Sequence, residues 1–188
     1  GGGLVGYLSG NNSSISSSWS SATVDGVGDI GGLVGYAQSG SINDSYATGA
    51  VTNTAANTGG LVGKSEVSIT NSYATGDVSG ASYVGGLVGL SDTSGSIITS
   101  YSTGSVTGTG IGNVGGLVGT SNGTVTNSLW NTETSGLSDS AGGVGLTTAQ
   151  MLSSDNYSSW NFTNTWNAPT SVAYPTLQHF VPPTIVLT

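Results

Sequence analysis

Acid–base or metal chemistry in this chain has few side chains to draw on. The acids are Asp25, Asp29, Asp44, Glu66, Asp77, Asp92, Glu133, Asp139 and Asp155, and Lys64 and His179 are the single basic residue and the single histidine. Two carboxylates at the separation a glycosidase needs can be assembled across a fold. Here no pair recurs at tight spacing beside a helper residue, so a solvated surface is the favoured reading. Asp25-Gly-Val-Gly-Asp29 offers the carboxylate and carbonyl oxygens that calcium takes. It occurs once and departs from the nonapeptide repeat through which some repeat proteins bind calcium. A turn is therefore preferred there, with Asp25 and Asp29 kept as a weak calcium candidate. His179 stands beside Phe180 with no serine motif and no second histidine near it, which leaves a hydrolase triad without parts. With no cysteine there is no disulfide and no thiolate metal site. The expectation is a protein that is not an enzyme and takes no cofactor.

Composition removes other classes. One cation cannot neutralise several phosphates, and the formal net charge is −8, so nucleic-acid binding is excluded. No run of about 18 apolar residues is present to insert into a membrane as a helix. The chain starts at Gly1 without an initiator methionine or signal peptide, which reads as a processed mature form or a fragment.

What would position any site is a repeat. Gly-Gly-Leu-Val-Gly begins at Gly2, Gly31, Gly59, Gly85 and Gly115, with a weaker echo at Gly142 and Gly143. Between anchors lies a second element, Ile42 to Val51 in one copy, Ile69 to Val78 and Ile97 to Val106 in the next two. Periodicity of this kind overrules a Gly/Ser/Thr-rich composition that would otherwise suggest disorder. The anchor glycines are expected to serve positive φ and close backbone approach. The β-branched and aromatic stretches between them suit strands.

The fold class that follows is all-β: a β-solenoid, or parallel β-helix, of about five coils of 26–30 residues with a C-terminal cap. Three short strands per coil are expected, with a loop over Thr52–Thr58 and no helix before Thr147. Stacking builds ladders of like residues, Leu4, Leu33, Leu61, Leu87 and Leu117 in one, Trp19, Tyr46, Tyr73 and Tyr101 in another. A repeated charge would repel itself in such a ladder, which accounts for the scarcity of charge. Residues 1–130 are assigned to the repeats and 131–181 to a cap. The cap has a helical turn N-capped by Thr147 or Thr148, and its aromatic cluster of Tyr157, Trp160, Phe162 and Trp166 suits a lid over the solenoid's end. Residues 182–188 form an extended apolar tail.

The anchors, the element Asn71-Ser-Tyr-Ala-Thr-Gly76 and the closing stretches Leu129–Gly136 and Ala141–Met151 resemble bacterial GLUG-motif repeat proteins over about residues 2 to 177. The resemblance implies export and a scaffold or adhesive role, since such repeats occur in adhesin-like surface proteins and in regions attached to immunoglobulin A peptidases. It carries no catalytic residues, and no His-Glu-x-x-His is present.

Three functions are set against one another. The first is an extracellular or cell-surface structural segment, in a stalk that binds other surface proteins or a carbohydrate or protein receptor. The second is self-association into filaments, with the open first coil at Gly2, Leu4 and Val5 receiving a strand from Thr184, Ile185, Val186 and Leu187 of a neighbour. The third is a water-ordering, ice-binding face on the ladder of Thr48, Thr75 and Thr103, against which a threonine ladder bonded within its sheet is preferred.

Overall fold

In a computed structural model, which describes residues 1–10, 12–110 and 112–180, the repeats wind into a parallel β-solenoid. Each full coil contributes five short strands. In the coil of the second anchor these are Ile30–Gly31, Val34–Ala37, Ser41–Asn43, Tyr46–Ala47 and Val51–Asn53. Each strand pairs in parallel with its counterpart in the next coil, giving five sheets: lead-in, anchor, isoleucine, tyrosine and valine. The anchor and isoleucine sheets have five strands, the lead-in and valine sheets four, and the tyrosine sheet six. The five anchors therefore span about four complete turns. Register is residue on like residue: Val34 pairs with Val5 and Val62, and Ile69 with Ile42 and Ile97. Inside, Leu33, Leu61, Leu87 and Leu117 stack with the isoleucine column as one buried core.

The strand count corrects the expected three. The Ile-to-Tyr stretch divides at a corner residue with positive φ, namely Ser17, Asp44, Asn71, Thr99 or Asn127, at 45–49°. Asn and Asp tolerate this left-handed conformation better than other side chains do. The corner lets Ile42 and Ala47, five positions apart, both face the interior. The expected loop over 52–58 is also revised, because Ala56–Gly59 is a strand of the lead-in sheet. A helix precedes Thr147 as well: Thr132–Ser135 is N-capped by Asn131, whose Oδ1 accepts from the amides of Glu133 and Thr134 at 2.9 and 3.1 Å.

A serine follows each corner, and these serines form a buried ladder. Ser45, Ser72, Ser100 and Ser128 are fully buried. Each hydroxyl donates to the carbonyl two residues earlier, at 2.7–2.9 Å. Each also accepts the backbone N–H of a residue one coil before, Ser18, Ser45, Ser72 and Ser100 in turn, at 3.1–3.3 Å. The corner would otherwise strand one amide per coil in the interior, at a cost of roughly 1–3 kcal/mol each.

Except at Gly6, the anchor glycines serve close approach, and the second role expected of them, positive φ, falls elsewhere: the glycines with positive φ are Gly10, Gly28, Gly40, Gly136 and Gly143. A Cβ on Gly59 would overlap the Val62 carbonyl oxygen, one on Gly60 the Gly86 carbonyl oxygen, and one on Gly63 would meet the Ile30 amide nitrogen. The lead-in strand thus folds back against the anchor strand with backbone lying on backbone. Gly60→Ala should destabilise the fold by about 1–3 kcal/mol through this overlap, whereas Gly6→Ala, where a Cβ meets nothing within 4 Å, should leave it near wild type. Urea unfolding of the two variants, compared at equal m-value, checks the difference.

Candidate interaction surfaces

Alternation in the strand Tyr46–Ala47 sends the alanine inward and the tyrosine out. The outward rings stack nearly parallel along the sheet. Centroids lie 5.9 Å apart for Trp19–Tyr46, 4.7 Å for Tyr46–Tyr73 and 5.0 Å for Tyr73–Tyr101, with interplanar angles of 8°, 2° and 5°. Parallel strand pairing imposes this overlap, and each offset pair adds on the order of 0.5–1.5 kcal/mol beyond its burial.

The aromatic cluster of the C-terminal region covers this column from the side, which revises the expected lid over the end of the stack. Trp166 is fully buried and lies 6.0 Å from both Tyr73 and Tyr101. Trp160 packs on Tyr101 at 6.2 Å, and Phe180 meets Tyr46 edge-on at 4.9 Å. Polar contacts fix the cover in place. The Tyr101 hydroxyl donates to the Pro175 carbonyl at 2.7 Å, and Asn131 Nδ2 donates to the Tyr174 hydroxyl at 2.8 Å. The helix Thr148–Met151, closed by a Thr147–Gln150 capping box, supplies Met151, whose carbonyl accepts from the Tyr157 hydroxyl at 2.7 Å. Asn131 was legible as a helix start, since Asn-Thr-Glu-Thr carries an N-cap signal; the aromatic column's lateral cover had no such sign.

The other singled-out residues are dispersed. Leu4 is half exposed and Val5 opens the outermost strand of the anchor sheet, while Gly2 makes an isolated parallel bridge to Gly31. Thr184, Ile185, Val186 and Leu187 lie outside the described residues. Asp25 is exposed on the strand Val24–Gly26, and Asp29 Oδ1 accepts from Asn57 Nδ2 at 2.6 Å. Among the described residues no group of three or more His, Asp or Glu side chains comes close enough to hold a metal. The threonine ladder does not make a continuous wet face: Thr48 is exposed, Thr75 half-buried and Thr103 buried. His179 is exposed in the turn Gln178–Phe180.

Lys64 stands on the outer face of the anchor sheet. Its Nζ lies 3.0 Å from Glu66 Oε1, 3.6 Å from Asp92 Oδ2 and 4.8 Å above the Tyr36 ring. The Tyr36 hydroxyl donates to Glu66 at 2.5 Å. Hydrogen bonds from Tyr36 and Lys64 hold the Glu66 carboxyl below its ordinary range, and the bond to Glu66 holds Lys64 above its own. Half-exposed pairs of this kind contribute about 0–1 kcal/mol, and the cluster ties three coils on one face.

Fold and surfaces together define a parallel β-solenoid repeat protein whose coils are joined by side-chain ladders. Three successive stretches, residues 26–52, 54–79 and 80–107, match the family model of the GLUG motif. The chain carries GLUG-motif repeats, and each match spans one turn from valine strand to valine strand. It is 38% identical over 115 residues to a "Putative Gly-rich membrane protein" of Evansella cellulosilytica, covering 56% of this chain and 13% of that protein. It is 40% identical over 138 residues to Halomucin of Haloquadratum walsbyi, covering 63% of this chain and 2% of that one. A crystal structure of a "putative immunoglobulin A1 protease" from Bacteroides ovatus superposes with a TM-score of 0.54 at 25% identity, over 95% of this chain. This chain spans 52% of that structure's length.

Burial pushes the hydroxyls of Tyr73, Tyr101 and Tyr157 above the ordinary tyrosine range. A raised folded pKa means the folded state keeps its proton after the unfolded chain has lost it. The stabilisation from the neutral ring is therefore full below the unfolded value near 10 and is lost as pH rises beyond it. Unfolding free energy should be flat from about pH 8 to 9.5 and then fall by on the order of 1.4 kcal/mol per pH unit for each such tyrosine. Urea titrations across this range, read by circular dichroism, check it. A flat profile to about pH 11.5 would show that the tyrosine column is not buried.

Proposed function

We propose that the chain is a non-catalytic structural module of an exported surface protein, a rigid solenoid that spaces or presents adhesive parts outside the cell. The observation that carries this reading is the in-register stack of near-identical coils, each turn burying its inward apolar side chains against its neighbours. Such a body lengthens by adding turns, at about 4.8 Å per coil, and works as a spacer. The relatives support it in scale and in name, for the chain matches small parts of much longer proteins, one called a membrane protein and another Halomucin. No helix among the described residues is long and apolar enough to cross a membrane. Surface display by bacterial-type export is tested by protease shaving of intact cells. The repeats should be released as peptides without lysis, and recovery of the parent polypeptide only from the cytoplasm would defeat the proposal.

A second reading is self-association. It is favoured by the outermost strand Val5–Leu8, whose outer edge faces no strand among the described residues, and by the exposed Leu4 at 51% of its surface. An edge of this kind templates pairing with another chain, and the apolar residues Ile185, Val186 and Leu187 are a suitable donor. A head-to-tail contact of this type does not close and yields filaments. Removing residues 182–188 should abolish concentration-dependent assembly in light scattering, and assembly that survives the deletion removes strand donation.

A further inference from the structure

The outward column of the tyrosine sheet does not end at its last tyrosine. Its register runs Trp19, Tyr46, Tyr73, Tyr101, Leu129 and Val144. Four rungs are aromatic and the last two are aliphatic and smaller. Beside these two rungs a cavity of about 190 Å³ remains, bounded on its other side by residues of the segment 156–160. Leu129, Leu146 and the half-exposed Val144 give it an apolar floor, and Trp160 is its aromatic wall. The indole N–H of Trp160 donates to the Asn127 carbonyl at 3.0 Å, which fixes the ring.

The rim has a different chemistry. It consists of Asn127, Asn156, Ser158 and Ser159, all exposed. The Asn156 amide is oriented by its donation to the Gln150 carbonyl at 2.9 Å. Amides and hydroxyls both donate and accept. No residue lining the cavity is ionisable at neutral pH, and the chain's net charge of −8 repels anions. The volume lies below the roughly 300–1,000 Å³ of drug-sized pockets, which limits the ligand to about one ring. An apolar floor and wall under a neutral rim of donors and acceptors match a ring with an apolar face and hydroxylated edges. A purely apolar ring would make no use of the rim's donors and acceptors.

We propose that this cavity binds one pyranose unit of a neutral glycan, seated beside Leu129 and Val144 as the ring that the aromatic column lacks there. The proposal gives the adhesive part of the surface reading a ligand class and rests on that reading for the ligand's encounter. It is measured on purified protein, so its failure and a failure of surface display are separate results.

The test is titration calorimetry of the whole chain against neutral cello-, xylo-, manno-, galacto- and chito-oligosaccharides, with a uronic-acid oligomer and indole as comparison ligands. At least one neutral oligosaccharide should bind saturably, with affinity no weaker than on the order of millimolar. Val144→Tyr completes the column and fills the cavity at an exposed position, so it should weaken binding at least about tenfold with an unchanged melting curve. Ser158→Ala with Ser159→Ala, which removes two rim hydroxyls and leaves the core alone, should weaken it several-fold and serves if the tyrosine variant misfolds. Absence of binding by every neutral oligosaccharide, wild-type affinity in these variants, or binding of the uronic-acid oligomer or indole in place of neutral sugars overturns the proposal.

Discussion

Parallel, in-register stacking makes every side chain the neighbour of its own counterpart about 4.8 Å away. This single constraint selects what each position can hold. Like charges at that spacing repel, whereas rings and aliphatic chains gain from overlap. The outward column of Tyr7, Tyr36, Lys64, Leu90 and Thr120 shows how the one cation is accommodated. Lys64 has a ring on one side and an aliphatic chain on the other, and its counter-charges come from Glu66 and from Asp92 one coil on. In the corner serine ladder, Ser45, Ser72, Ser100 and Ser128, each buried hydroxyl both donates and accepts, so that repetition there leaves no hydroxyl unpaired. A lysine or a carboxylate has no such symmetric arrangement.

The anchor glycines answer the second demand of the stack. Stacking satisfies hydrogen bonds along the solenoid axis, but the wall at the anchor is two strands deep. Side chains between the lead-in and anchor strands would force them about a sheet spacing apart, roughly 10 Å. Removing Cβ at the first and last glycines closes that gap, and the middle one makes room for the next coil's backbone and the alanine of the tyrosine strand, while Leu and Val in the same pentapeptide fill the interior. The motif is therefore a packing device in which adjacent residues serve different faces.

These two rules were legible in the residues because they repeat, and repetition carries the signal. The core columns and the aromatic ladder followed directly from spacing. The five-strand coil was less legible, since a two-residue strand such as Tyr46–Ala47 has no period to read. The corner was signalled only by Asp44, Asn71 and Asn127, while Thr99 takes the same conformation, φ 46°, against its own β-branched preference. The cavity was harder still. Leu129 falls one repeat after Tyr101, but the next rung, Val144, follows after only 15 residues, across the helix Thr132–Ser135. Nothing in a 26–30-residue period points to that pairing. The lateral cover is non-repetitive by nature, and its aromatic residues announced a packed cluster without saying against which face.

That cover changes how the stack holds together. In a bare solenoid each coil touches only its neighbours, so stability is a sum of local terms and the ends fray independently. Here one segment contacts Tyr46, Tyr73 and Tyr101, rungs from three successive coils, and is anchored by hydrogen bonds from Tyr101 to the Pro175 carbonyl and from Asn131 to the Tyr174 hydroxyl. Opening any of those coils disturbs a segment packed on the other two. Burial of the column follows the same direction, from Trp19, exposed at 51% of its surface, to Tyr101 at 1%. The coils under the cover are thereby coupled into one cooperative unit, and the coil of Trp19, outside it, is left to local pairing alone.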